Sequence, residues 1–261
     1  MTNPLYSYAP AIGFLVGCLV TMTGVGGGIL LLPFLILGLR VPPIVAVGSD
    51  IAFMFFTKIG AAASHWRYNN VDWRLAFTMA LGSVPSAIAG FSVLAYLRSC
   101  YGDGVNIFLR SAIGILLLLI PVLLSVQNWL NARAAFLSKR TPLSGGAYRR
   151  AIFIGLLGGF LVGLTSVGSG SVMMALLLLF YSAPPRLLVG SDIVHAMILT
   201  GFLGLLHFQI GTIDVRLVGL LMLGAVPGVL LGSSLMRIVP PVWLRRVLLL
   251  LLVTAALAMA R

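Results

Sequence analysis

Long apolar runs alternate with short polar connections along the whole chain. Eight of these runs approach or exceed the roughly 20 residues that a helix needs to cross about 30 Å of hydrocarbon. Their limits are residues 5–39, 43–65, 73–97, 105–128, 148–181, 185–207, 213–239 and 241–260. Because lipid offers no hydrogen bonds to a peptide group, each run is predicted to be helical, and the pattern is not that of a membrane barrel. The predicted fold is all-α, a polytopic bundle of membrane helices.

The composition excludes a water-soluble protein. Of the 261 residues, 60% are apolar and 8% are charged, and the mean hydropathy is +1.12, whereas about 25% of the residues of a soluble domain are charged. The net charge is +12, but the 17 Lys and Arg residues stand mainly in the short connections. This placement is typical of the ends of membrane spans and not of a nucleic-acid surface. The expected partner is the lipid bilayer, and the expected location is the cell inner membrane, which the chain crosses several times.

The second half of the chain repeats the first at an offset of 142 residues. Residues 13–97 align without a gap with residues 155–239, and about 28 of 85 positions are identical. We interpret the chain as two homologous four-segment repeats, 1–130 and 148–261, joined by a basic linker, 131–147, predicted to be cytoplasmic. Internal repeats with paired Gly and Pro interruptions are typical of secondary transporters, whose binding site lies between the repeats.

The first segment of each repeat is too long for one span and carries a glycine-rich interruption, at residues 24–28 and 166–170. Because a glycine inside a helix costs about 1 kcal/mol relative to alanine, each interruption is predicted to divide its segment into two half-helices. Helix N-termini opened at mid-membrane expose N–H groups, which favour an anion. The alternative is close helix packing through small residues. The candidate substrate-binding residues are Thr23, Gly26, Gly27, Gly28, Ser49, Thr165, Gly168, Ser169, Gly170 and Ser191.

Asp50 and Asp192 occupy equivalent Gly-Ser-Asp motifs, about 10 Å inside a predicted span. An ionised carboxylate at that depth costs at least about 2.5 kcal/mol, so both are candidates for function, here for proton coupling. The alternative is that each Ser-Asp pair caps a kinked helix. His195 lies three residues after Asp192 on the same helical face and is a further proton-coupling candidate. Lys58, two turns after Asp50, is a candidate attractor of a substrate anion, and snorkelling to the interface is its alternative role.

The distribution of positive residues bears on the relative direction of the two repeats. If both broken segments turn back, the repeats are inverted, and eleven Lys and Arg residues lie inside against five outside. If both segments cross, the repeats are parallel, and the count is nine against seven. Because cytoplasmic loops are enriched in positive residues, the count favours inverted repeats.

Three motifs together resemble a known family. They are Gly-Val-Gly-Gly-Gly at 24–28, Pro42-Pro43 followed by Ala46-Val47-Gly48-Ser49-Asp50, and His65 followed by Asn70-Val71-Asp72-Trp73-Arg74. In this order they are similar to the sulfite exporter TauE/SafE family, also called the 4-toluene sulfonate uptake permease family, over nearly the whole chain. The resemblance implies secondary transport of small sulfur oxyanions such as sulfite, or of organosulfonates.

The sequence therefore predicts a secondary transporter that moves a small anion, sulfite or an organosulfonate, by alternating access at the repeat interface. Coupling to protons is left open, as is the formation of a homodimer. One alternative is a cation transporter with Asp50 and Asp192 as ligands, and another is a membrane scaffold or sensor that transports nothing. The sequence contains no Cys/His ligand cluster, nucleophile elbow or phosphate loop. We therefore expect neither an enzyme nor a cofactor or metal site.

Overall fold

The computed structural model of the protein describes residues 4–23, 26–136, 145–181, 183–235 and 241–260. Within these ranges the chain has no strand, and ten α-helices follow one another. They are α1 (Ala9–Thr23), α2 (Gly27–Pro33), α3 (Pro43–Arg67), α4 (Trp73–Tyr101), α5 (Val105–Phe136), α6 (Gly145–Thr165), α7 (Ser171–Phe180), α8 (Pro185–Gln209), α9 (Val215–Leu235) and α10 (Pro241–Ala260). Six stretches of the described residues are long and apolar enough to cross a membrane, and one of these, Trp73–Val122, contains α4 and the first part of α5. The predicted all-helical membrane fold is confirmed in these ranges.

The helix ends follow signals in the sequence. Pro43 and Pro185 stand in the first turn of α3 and α8, where a missing N–H costs nothing and the fixed φ suits a helix. Asp72 and Asp214 precede α4 and α9, and the carboxylate of each accepts the N–H three residues later, at 3.1 and 2.9 Å. Each aspartate is therefore an N-cap that satisfies one of the free amides of its helix.

The predicted linker is described in part. α5 continues to Phe136 and α6 begins at Gly145, so both helices reach into the predicted range 131–147. Residues 137–144 lie outside the described residues. The limits of the linker and of the two halves therefore stay predictions.

Both predicted interruptions coincide with a break between helices. Residues 166–170 separate α6 from α7, whereas in the first half Gly26 is non-helical and Gly27 and Gly28, expected within the interruption, already belong to α2. In the second half the chain turns back after its interruption. The side chain of Tyr181, just after α7, hydrogen-bonds to the backbone of Ala151 near the start of α6. Closer to the turn, the Met173 side chain lies directly on Gly158. α6 and α7 are therefore the two arms of a hairpin.

Helices of the first half pack against helices of the second through glycine. The facing carbonyl groups leave no room for a Cβ at these glycines, which is the packing that small residues permit between membrane helices. The contact pairs are Gly13 with Leu221 and Gly17 with Ala225 between α1 and α9, and Gly155 with Met79 and Gly159 with Ser83 between α6 and α4. In each pair of helices the residue numbers of the contacts increase in the same direction along both helices, so the two helices are parallel. The two sets of contacts are related by the offset of 142 residues.

α3 and α8 pack against each other in opposite directions. The Ser49 hydroxyl near the start of α3 accepts a hydrogen bond from the Asp214 N–H, just after α8, at 3.0 Å. The equivalent bond joins the Ser191 hydroxyl near the start of α8 to the Asp72 N–H, just after α3, at 2.8 Å. The start of each helix thus lies beside the end of the other. α5 and α10 are also antiparallel, since Arg110 near the start of α5 donates to the carbonyl of Ala258 at the end of α10.

Candidate functional site

The two helix interruptions meet inside the protein. Gly26 is the N-cap of α2, and Gly170 is the N-cap of α7. A Cβ added to Gly170 would lie 2.9 Å from the Cα of Gly26, and one added to Gly26 would lie 3.3 Å from the Cα of Gly170. The two backbones are therefore in direct contact, and the N-termini of two half-helices from different halves converge. We call the region formed by Gly26–Gly28 and Ser166–Gly170 the junction.

α3 carries Asp50 to the junction, where its carboxylate contacts both interruptions. The side chain is completely buried, and Oδ2 accepts a hydrogen bond from the Ser166 hydroxyl at 2.7 Å. A Cβ on Gly28 would lie 2.6 Å from the same Oδ2 and 3.1 Å from the carbonyl oxygen of Ser166. The other oxygen, Oδ1, is buried and has no hydrogen-bond partner among the described residues. An unpaired buried carboxylate oxygen is costly, so this oxygen is a candidate position for a proton or a ligand.

Ser166 is a site residue that the sequence-based selection did not include. Its φ is +62°, a left-handed conformation that residues other than glycine rarely adopt. It follows directly after α6, whose last residue, Thr165, accepts a bond from the Val167 N–H at 3.3 Å. In the sequence repeat Ser166 corresponds to Gly24. A hydroxyl that replaces glycine within a glycine-rich interruption is the signal that could have identified it.

The next turns of α3 continue along the junction. Met54, four residues after Asp50, accepts a hydrogen bond at Sδ from the Ser169 hydroxyl at 3.3 Å and faces Gly27 and Gly28. Lys58 follows after another turn, is half-buried and is attracted electrostatically by Asp192 and by Asp50. One face of α3 therefore presents a carboxylate, a thioether and an ammonium group in succession.

Asp192 has different neighbours from Asp50. His195 Nδ1 lies 3.7 Å from Asp192 Oδ1, and His195 Nε2 is hydrogen-bonded to the hydroxyl of Ser83 on α4 at 2.7 Å. All three residues are buried, and within the described part of the chain neither Asp192 Oδ1 nor His195 Nδ1 has a hydrogen-bond partner. Ser83 was not among the site residues predicted from the sequence. The repeat places Phe53 and Ala225 opposite His195 and Ser83, so this arrangement exists in one half alone.

Some of the predicted substrate-binding residues have other contacts in the structure. The hydroxyls of Ser49 and Ser191 bind the loops that follow α8 and α3. Thr165 donates to the Leu161 carbonyl at 2.8 Å, and Gly168, with φ +114°, allows the turn between α6 and α7. The side chain of Thr23 lies outside the described residues, as do Gly24 and Val25. The predicted residues that meet at the junction are Gly26, Gly27, Gly28, Ser169 and Gly170.

The described residues contain no group of three or more His, Cys, Asp or Glu side chains arranged to hold a metal ion. Among the described residues, the Asp50 carboxylate contacts the junction, Lys58 is attracted by Asp50 and Asp192, and His195 lies beside Asp192. Such a set can bind an anion, exchange protons or both.

Comparison with known proteins gives a consistent set of relatives. The sulfite exporter TauE/SafE family matches residues 9–259. Probable membrane transporter protein YjnA of Bacillus subtilis (strain 168) is 37% identical over 226 residues, which are 86% of this chain and 87% of that protein. Probable membrane transporter proteins YunE and YdhB of the same strain are 26% and 24% identical, over 86% and 89% of this chain and 84% and 91% of their own. No solved structure matches the chain significantly. The names of the family and the relatives indicate a membrane transporter rather than an enzyme.

Proposed function

Because this chain belongs to the sulfite exporter TauE/SafE family of multi-pass membrane transporters, we propose that its cargo is a small anion, either sulfite or an organosulfonate. The observation that carries the proposal is the meeting of the α2 and α7 N-termini at Gly26 and Gly170. The ends of helices provide free N–H groups and a partial positive charge. In secondary transporters, half-helix N-termini point at the anionic group of the substrate. We place the protein in the cell inner membrane and its binding site at the junction.

The proposal includes two inverted repeats. The antiparallel packing of α3 against α8 supports it, because equivalent spans of parallel repeats would run in the same direction. The hairpin of α6 and α7 also supports it, since a segment that turns back leaves three full crossings in each half. The distribution of positive residues favours the same arrangement. Inverted repeats give a transporter two related conformations, open to opposite sides of the membrane, which is the basis of alternating access.

The charged groups have distinct roles in this proposal. Main-chain N–H groups of Gly26–Gly28 and Gly168–Gly170 bind the anion, and Lys58 attracts it. An ionised Asp50 would repel an anion at this position, so Asp50 is protonated when the substrate is bound. Its unpaired Oδ1 then becomes a hydrogen-bond donor. Asp192 and His195 together form a second group, besides Asp50, that exchanges protons.

Uptake into proteoliposomes tests the proposed function. Purified protein should accumulate radiolabelled sulfite or an alkanesulfonate in a saturable manner, with each competing against the other, and a pH gradient should change the rate. Gly170→Ala should lower uptake, because the added Cβ would lie 2.9 Å from the Gly26 backbone. Gly204→Ala is the matched control, since a Cβ there meets no atom within 4 Å. If wild-type protein neither moves nor binds either compound, the assigned substrate class is wrong and a scaffold or sensor becomes the better reading.

A cation transporter is the second candidate. One observation favours it, because Asp50 Oδ2 and the Ser166 carbonyl oxygen both lie within 3.1 Å of the position that a Gly28 Cβ would occupy. Oxygen atoms near an unwound helix end are typical sodium ligands in transporters. Uptake of labelled sodium that is abolished by the double change Asp50→Asn and Asp192→Asn would favour this alternative, whereas anion binding that survives the same change would favour the anion.

A further inference from the structure

Lys58 and the two buried aspartates form one group of charges. Asp50 and Asp192 are 0% and 5% exposed, and both attract the Lys58 ammonium, Asp192 more strongly. Lys58 forms no ion pair with any described residue, so its ammonium remains available to a ligand. Around these groups α8 contributes His195, 3.7 Å from Asp192, and the sequence of α7 contains no ionisable side chain.

The remaining ionisable groups next to α8 lie toward its two ends. The end of α3 and the start of α4 lie beside its first turns, His207 is in its last turn, and Arg98 of α4 donates to the Ile210 carbonyl just after it at 3.4 Å. His65 Nδ1 lies 3.0 Å from the position of a Gly190 Cβ, and Asp72 caps α4 while its backbone N–H binds Ser191. The central charges are thus one ammonium and two carboxylates, with one histidine beside the second carboxylate.

Net charge is costly inside a membrane. A transporter therefore changes conformation most easily when the charges at its centre cancel. Without substrate they cancel when an ionised Asp192 balances the charge of Lys58 and Asp50 carries a proton. A monovalent anion adds one negative charge, and cancellation then needs one more proton. The Asp192 and His195 pair can take it, since its two facing atoms are buried, unpaired and 3.7 Å apart.

We propose that the protein moves one proton together with each monovalent anion, and that the Asp192 and His195 pair carries this proton. Protonation of the pair removes the negative charge of Asp192 that balances Lys58, so that the ammonium can balance the anion instead. The proton comes from one side of the membrane and leaves on the other, and no other bond is made or broken. Transport is then electrically neutral. This inference rests on the proposed anion transport.

Equilibrium accumulation of methanesulfonate, a permanently monovalent anion, tests the stoichiometry in proteoliposomes. A pH gradient of one unit, acid outside, should raise the internal concentration about tenfold, because one proton accompanies each anion. A potassium diffusion potential of about 59 mV, set with valinomycin, would change accumulation about tenfold if one charge moved. For the wild-type protein we expect no change with potential. Accumulation that follows the potential would overturn the inference while leaving anion transport intact, and no methanesulfonate or sulfite transport at all would overturn both.

Two variants that differ by one carboxylate group test the assignment of the proton. Asp50→Asn mimics the protonated residue and should keep the wild-type responses to pH and to potential. Asp50→Asn combined with Asp192→Asn removes both acids, so uptake should become independent of the pH gradient and follow the potential. Lys58→Met is a separate route to the same result, because both aspartates are then protonated without substrate and the anion moves alone. Retained proton coupling in the double variant or in Lys58→Met would overturn the assignment.

Discussion

Replacement of Gly28 by alanine tests whether the contact between Asp50 and the junction matters for transport. The new Cβ would lie 2.6 Å from Asp50 Oδ2, 3.1 Å from the Ser166 carbonyl oxygen and 3.4 Å from Met54 Sδ. Ordinary contact begins at 3.4 Å, so Oδ2 must move by about 0.8 Å. Such a shift, if it is directed away from Ser166, stretches the 2.7 Å hydrogen bond to the limit of hydrogen-bond length. Loss of a hydrogen bond to a charged or buried group costs about 1–3 kcal/mol.

An energy of this size corresponds to a loss of roughly 5- to 150-fold in an equilibrium or a rate. We expect Gly28→Ala to lower the initial rate of anion uptake in proteoliposomes by at least about fivefold, at equal amounts of inserted protein. Thermal unfolding in detergent, followed by intrinsic fluorescence, separates a local effect from general loss of structure. Gly60→Ala on α3 is the control, since its Cβ would meet no atom within 4 Å. Wild-type uptake by Gly28→Ala would refute the reasoning that Asp50 and the junction act together.

Four further substitutions follow from individual hydrogen bonds. Ser83→Ala removes the hydrogen-bond partner of His195 Nε2. It should cost about 1–3 kcal/mol of stability, measured as a lower Tm, and should also shift the pH dependence of uptake. A purely structural serine would leave the pH dependence unchanged. Ser49→Ala and Ser191→Ala remove equivalent hydrogen bonds. Each should lower the free energy of unfolding by about 1 kcal/mol, and the two decreases in Tm should be similar. A clear difference between them would contradict their equivalence. Asp214→Ala removes the N-cap of α9 and also the acceptor of the Tyr6 hydroxyl, and a loss of about 1–3 kcal/mol is expected in the same unfolding assay.

The sequence predicted most of the helical segments because hydrophobic length and Pro or Gly punctuation are local properties. α3 was expected at 43–65 and is Pro43–Arg67, and both glycine-rich interruptions divide their helices. α5 extends further than expected, to Phe136. Its last residues, 131–136, were expected in the linker because they begin a stretch that contains Asn131 and Arg133 and no long apolar run. Alanine and arginine are nevertheless strong helix formers, and the helix continues through them.

The site was harder to predict because its contacts join distant parts of the chain. The hydrogen bond between Asp50 and Ser166 spans 116 positions, and that between Ser83 and His195 spans 112. Neither partner is visible in a local motif. Ser49 and Ser191 show the same limit, since their position beside the aspartates suggested a ligand role, while their hydroxyls bind loops of the opposite half.

The glycine seams between α1 and α9 and between α6 and α4 determine which parts of the protein can move as rigid bodies. Each seam joins one helix from each half with backbone against backbone, and such tight interfaces slide or separate with difficulty. A displacement of one sequence half against the other would have to open both seams at once. In the proposed alternating-access cycle, the rigid units are therefore mixed pairs, each assembled from two distant stretches of sequence.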